Sequence, residues 1–138
     1  MPVKAKELRF AVEIDCDGRA TADDEQALGV PEGWSAEHLV LAGLVRCTLT
    51  SFRHAASRRG VTGDGYGRAR GVVTRRDDGR FAFVEIDVDL DVSLEPRPDD
   101  GVEALLEHAQ RGCFIGNSLI AKPTYRWKVN GASIPSAA

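Results

Sequence analysis

The chain has 138 residues, a formal net charge of −3 and ordinary shares of apolar and charged residues. That length suits a single domain with its own core, and the acidic balance removes any general attraction to nucleic acid or anionic membrane. No apolar run approaches the roughly 20 residues needed to cross a bilayer, and MPVKAKELRF lacks the apolar centre of a signal peptide, so a cytoplasmic location is expected.

Leu8 to Cys16 alternates, with Leu8, Phe10, Val12 and Ile14 on one face, and predicts a first strand. The Gly- and Asp-rich stretch after it predicts a short strand near Arg19 to Ala22 and then a loop. Ser35 suits the cap of a helix beginning at Ala36, because its hydroxyl can accept a backbone N–H left unpaired in the first turn, and Glu37 complements the positive end of the dipole. The helix is expected to run to about Arg59 and to stop at Gly60. Leu39, Val40, Leu41, Gly43, Leu44, Val45 and Cys47 crowd nearly every side of its first half, which predicts burial all round.

From Gly65 to Leu94 the period is two, and Asp78-Gly79 is a hairpin signal. A two-residue turn there pairs Asp77 with Arg80 and sets Arg70 opposite Asp87 and Arg68 opposite Asp89. Ala82, Val84, Ile86, Val88 and Leu90 then share the core face. The eight arginines between residues 53 and 80 are thereby matched by an acidic strand, and they lack the interleaved aromatics of a nucleic-acid platform. Asp100 and Glu103 suggest a capping box for a helix over Val102 to Gln110, whose stripe of Val102, Leu105, Leu106 and Ala109 continues to Cys113. FIGNSLIA resumes a helix until Lys122-Pro123, and Tyr125, Trp127 and Val129 alternate as a last strand. The fold class is α+β, an antiparallel sheet wrapped around a long helix.

Three cysteines, Cys16, Cys47 and Cys113, are too few and too scattered for a disulfide framework, and no Cys-x-x-Cys or ligand-spaced His supports zinc. A Cys in an apolar helix is most often a small packing residue, and a reactive one needs a cation or helix N-terminus to lower its pKa. Arg46 points about 100° away from Cys47 and is a poor source of that charge. Gly112-Cys113 places a sulfur near unpaired N–H groups, but spacing does not say whether the two thiols meet.

WSAEHLVLAGLVRCT resembles the signature of the OsmC/Ohr family, with Glu37 ten residues before Cys47 as in that family's Glu and Cys, and HAQRGCFIGNSLIAKPTYRW is similar to its second Cys-bearing motif. The resemblance implies an intertwined homodimer whose sheets wrap paired central helices. It also implies reduction of organic hydroperoxides by thiol chemistry, with Cys47 peroxidatic and Cys113 resolving. The implied reductant is a dithiol such as a lipoyl protein, and no metal, flavin or haem cofactor is required. In the family an Arg held by the Glu stabilises the thiolate; here Asp15-Cys16-Asp17-Gly18-Arg19 puts Cys16 at that place, and leaves Arg19, or Arg9, to supply the charge. Glu37 is separated from Cys47 by about 15 Å along a straight helix, so contact needs a bend, a fold-back or a second subunit. The alternative function is a binding or redox-responsive protein with little turnover, with Cys16 a third, regulatory thiol.

Overall fold

The structure is a computed structural model that describes residues 5–23 and 27–135. The chain divides into two compact units, one up to Glu37 and one from His38 onward.

The N-terminal unit holds a three-stranded antiparallel sheet in the order β1 (Val12–Ile14), β2 (Arg19–Ala22) and β3 (Leu28–Gly29). The first strand is shorter than the expected Leu8 to Cys16, because β2 is four residues long and offers partners only to Val12, Glu13 and Ile14. Cys16 is exposed in the turn between β1 and β2, where the Gly18 N–H donates to the Asp15 carbonyl at 3.1 Å and the Asp15 N–H to the Arg19 carbonyl at 3.0 Å. Phe10, Val12 and Ile14 are 77%, 68% and 60% exposed, so the apolar face of this sheet is uncovered. Residues 24–26, the middle of the expected loop, lie outside the described residues.

The second unit is built on α1 (Ala36–Arg58), which starts in the first, and a four-stranded sheet ordered β4 (Thr62–Arg75), β5 (Phe81–Glu95), β6 (Thr124–Val129) and β7 (Ala132–Ile134). Helix α1 ends as expected. The Gly60 N–H reaches the Ser57 carbonyl and the Val61 N–H the Ala56 carbonyl, closing a Schellman motif. Its buried residues are Leu44, Thr48, Phe52, Ala55 and Ala56, a single stripe, while Leu39, Leu41 and Val45 are only half-buried. Burial all round is therefore not met within one chain.

The stripe settles onto a run of small residues. On β4, Gly63, Gly65, Gly67, Ala69 and Gly71 share the inward face. A Cβ at Gly63 would come within 2.7 Å of the Phe52 ring, and one at Gly67 within 3.3 Å of Val45. Ile86, Val88, Leu90, Val92 and Leu94 of β5 and Trp127 and Val129 of β6 complete that wall of the core.

The hairpin departs from expectation in two offsetting ways. Its loop has three residues, with the Arg76 N–H donating to the Arg80 carbonyl at 2.8 Å and Gly79 at φ +85°, so Asp77 does not pair with Arg80. A β-bulge then places Val73 opposite Phe83 and Val72 opposite Glu85, with Val84 left over. Beyond it Arg70 faces Asp87 and Arg68 faces Asp89 as predicted. Before it the phase is reversed: Phe83 packs on the core and Val84 is 44% exposed, correcting the assignment of Val84 to the inner face. On the outer face Arg126 meets Asp87 at 3.1 Å and Asp89 at 3.4 Å, and Arg70 meets Asp89 at 3.4 Å, so charge is neutralised along the strands.

The sheet is not wholly antiparallel. β5 and β6 run parallel, because α2 (Val102–Arg111) and α3 (Phe114–Ser118) carry the chain back between them. No capping box forms on α2: its N-cap is Gly101, which has no side chain to offer. Its predicted stripe is buried at Leu105, Leu106 and Ala109. Strand β6 is not the last, since Asn130-Gly131, both at positive φ, turns it into β7. No helix among the described residues is long and apolar enough to cross a membrane.

Candidate functional site: two thiols at the start of a short helix

Cys47 lies on the flank of the α1 stripe, half-buried, one residue before the fully buried Thr48. Cys113 is fully buried and is the N-cap of α3, with φ −80° and ψ 102°, and its Sγ accepts from the Gly116 N–H at 3.4 Å. Glycines admit this close approach. At Gly112 a Cβ would lie 2.6 Å from Ser51 Oγ, which itself donates to the Ala109 carbonyl at 2.7 Å, and at Gly116 a Cβ would collide with the Tyr125 hydroxyl. Helix α3 stops short of the expected Ala121. Ser118 Oγ takes the Phe114 carbonyl, Lys122 Nζ takes that of Asn117, and Leu119 is already extended.

The two thiols lie close enough for Cys113 to act on the titration of Cys47, and the backbone N–H groups of Ile115 and Phe114 act on the Cys47 sulfur as well. Behind them, Thr48 Oγ1 donates to the Leu44 carbonyl at 2.8 Å and lies 3.3 Å from Cys113 Sγ. A hydroxyl has one proton, so with that proton on Leu44 the thiol of Cys113 is the donor to Thr48. Tyr125, half-buried on β6, sets its hydroxyl beside Gly116, on the side where Cys113 Sγ lies, and both Cys113 and Thr48 act on its titration.

These surroundings act on the thiol in opposite directions. Burial pushes the Cys47 thiol up, the N–H groups of Ile115 and Phe114 pull it down by stabilising the anion, and Cys113 pushes it up again, leaving it above its ordinary value. None of these groups is a cation. Burial, followed by the nearby Cys113, also holds the Tyr125 hydroxyl well above the usual phenol range, so it remains a donor.

A profile described as OsmC-like protein matches residues 29–128. The chain belongs to the OsmC-like family. No curated protein sequence matches it. Its fold is similar to that of an OsmC-like protein from Mycoplasma pneumoniae, with a TM-score of 0.66 and 18% identity over 92% of this chain and 98% of the other. An OsmC-like protein of Vibrio cholerae gives 0.69 and 15% over 90% and 100%. The organic hydroperoxide resistance protein OhrB of Bacillus subtilis gives 0.53 and 18% over 88% and 96%.

In this OsmC-like chain Glu37 is exposed in the first turn of α1, and the same uninterrupted helix carries Cys47 ten residues later. Arg19 opens β2, opposite Gly29, in the N-terminal unit, and is exposed there. Sequence reasoning missed Thr48 and Tyr125. Thr48 had a signal, a hydroxyl at helical spacing between Leu44 and Phe52, whereas Tyr125 read only as one apolar position of an alternating strand.

Proposed function

We propose that this chain is a thiol-dependent peroxidase acting on organic hydroperoxides. The observation that carries the reading is the meeting of Cys47 and Cys113 at the first turn of α3. In the reaction the Cys47 thiolate attacks the outer oxygen of ROOH, the O–O bond breaks, and the alkoxide leaves and takes a proton to become ROH. Cys47 is left as a sulfenic acid. The Cys113 thiol condenses with it, giving a disulfide and water, and an external dithiol returns both cysteines to thiols while itself becoming a disulfide. The name of the Bacillus subtilis neighbour supports the choice of substrate class.

A thiolate at Cys47 needs more than its backbone donors, since burial holds the thiol up. In the proposal Arg19, oriented by Glu37, supplies the positive charge, and the active form is an intertwined homodimer. The exposed Phe10, Val12 and Ile14 of the N-terminal unit favour such a partner, as does, separately, the half-buried flank of α1, because apolar side chains left to water are candidates for burial by another subunit. The second reading, a redox-responsive or binding protein with little turnover, is favoured by the raised Cys47 thiol and by the family resemblance, which puts the exposed Cys16 at the place of that family's Arg.

The test follows consumption of cumene hydroperoxide with dihydrolipoamide as reductant. Cys47→Ser is expected to abolish turnover, Cys113→Ser to stop it after one equivalent, and Arg19→Ala to lower it severely. Turnover that survives Cys47→Ser would refute the reading, and wild-type turnover no faster than that of Arg19→Ala would favour the second one.

A further inference from the structure

The proposed reaction leaves one demand without an assigned residue. Cys113 must give up its proton as it attacks, yet it is fully buried and no cation among the described residues hydrogen-bonds to it. Besides Cys47, its sulfur has the Gly116 N–H at 3.4 Å and Thr48 Oγ1 at 3.3 Å beside it, and the Tyr125 hydroxyl flanks the same position at Gly116. Thr48 has spent its only proton on the Leu44 carbonyl, so it can accept from the thiol but cannot donate to the anion. Gly116 leaves room for the phenol beside the sulfur: a Cβ built there would strike the Tyr125 hydroxyl and lie 3.4 Å from Cys113 Sγ.

We propose that Tyr125 is the hydrogen-bond donor that stabilises the Cys113 thiolate during disulfide formation. The inference rests on the reading of Cys47 and Cys113 as a redox pair. In the reduced protein the Cys113 S–H points to Thr48, and the phenol lies beside them. As the S–H proton departs to the hydroxide leaving Cys47, the phenol turns fully to Cys113, joining the Gly116 N–H. The new S–S bond forms, the S–O bond of the sulfenic acid breaks, and the proton and hydroxide leave as water. Tyr125 keeps its own proton throughout and serves by donation alone. A charge-assisted hydrogen bond in a buried site of this kind is worth about tenfold to a hundredfold in rate.

A disulfide probe tests the step without peroxide. In a Cys16→Ser background, 5,5′-dithiobis(2-nitrobenzoate) converts Cys47 to a mixed disulfide with release of one thionitrobenzoate. Attack by the Cys113 thiolate then releases a second and forms the Cys47–Cys113 disulfide. Tyr125→Phe is expected to slow the second release about tenfold or more, to move its pH profile to higher pH, and to leave the first release unchanged. An isosteric check uses fluorotyrosine in a Tyr66→Phe background, where Tyr125 is the sole tyrosine. Its more acidic phenol should move the profile to lower pH. A second release with the wild-type rate and pH profile in both variants would overturn the proposal, as would its absence in the unmodified chain. Failure of the peroxidase reading looks different: the probe disulfide forms normally while hydroperoxide is not consumed.

Discussion

Gly116→Ala is the perturbation that most directly tests the packing at the thiols. In an open helix the change would stabilise by up to about 1 kcal/mol, because alanine gives up less backbone entropy than glycine. At residue 116 the structure reverses the sign: the added methyl would collide with the Tyr125 hydroxyl, with Cys113 Sγ at 3.4 Å and Leu44 Cδ1 at 3.6 Å closing the other sides. Overpacking of this kind costs about 1–3 kcal/mol. The cost should largely vanish when the oxygen is removed, so Gly116→Ala in a Tyr125→Phe background is expected to be about 1–2 kcal/mol milder than in the wild type. Tyr125→Phe alone forfeits the phenol hydrogen bonds, about 0.5–1.5 kcal/mol. Urea unfolding of the four reduced proteins gives the cycle. A neutral or stabilising Gly116→Ala, or equal costs in the two backgrounds, would show that the phenol does not occupy the space beside Gly116.

Three further outcomes are expected. In a Tyr66→Phe variant, tyrosinate absorbance should be missing well above pH 10 while the protein stays folded, because the Tyr125 phenol is raised above its ordinary value of 10.0. The linkage sign follows: the folded pKa exceeds the unfolded one, so this contribution is complete below pH 10 and is lost as pH rises toward the folded value, and Tyr125→Phe should flatten that part of the stability curve. Asn130→Ala should cost about 2–3 kcal/mol in denaturant unfolding, since the Asn130 side chain accepts from Leu94 N–H at 2.9 Å and donates to its carbonyl at 3.2 Å while holding φ +50°.

The sequence carried the register of the long hairpin better than it carried the hairpin's turn. Counting back from a two-residue turn set Arg70 against Asp87 and Arg68 against Asp89, and that pairing stood although the loop is one residue longer than supposed, because the bulge at Val84 restores the count. Asp-Gly selects the left-handed glycine, which both the two-residue and the three-residue loop require, so the dipeptide did not decide between them. The same loop recurs at Asp15 to Arg19, and Asn130-Gly131 makes the shorter one. Periodicity also says nothing about which strand lies beside which. The parallel pairing of β5 with β6 comes from the α2–α3 crossover, and no pattern within either strand records it. At the site, both cysteines were visible as residue types, but their meeting depends on how closely α3 approaches α1, which Gly112 against Ser51 and Gly116 against Leu44 allow.

That approach explains why so short a helix exists at all. The first-turn N–H groups of a helix have no partner within it, and in a buried setting each needs one. In α3 the Phe114 and Ile115 N–H groups act on the Cys47 sulfur, Gly116 donates to the Cys113 sulfur at 3.4 Å, and the Cys113 N–H donates to the Gln110 carbonyl at 3.2 Å, after which Asn117 begins the helix's own bonds at 3.0 Å. One turn therefore suffices, and side chains of Ser118 and Lys122 take up carbonyls at its other end. What the donors do not supply is full charge. Backbone dipoles offset burial at Cys47 only in part, so the division of labour in the proposed reaction is physical: α3 and Tyr125 prepare the resolving step within the second unit, while the attacking step awaits the positive charge assigned to Arg19.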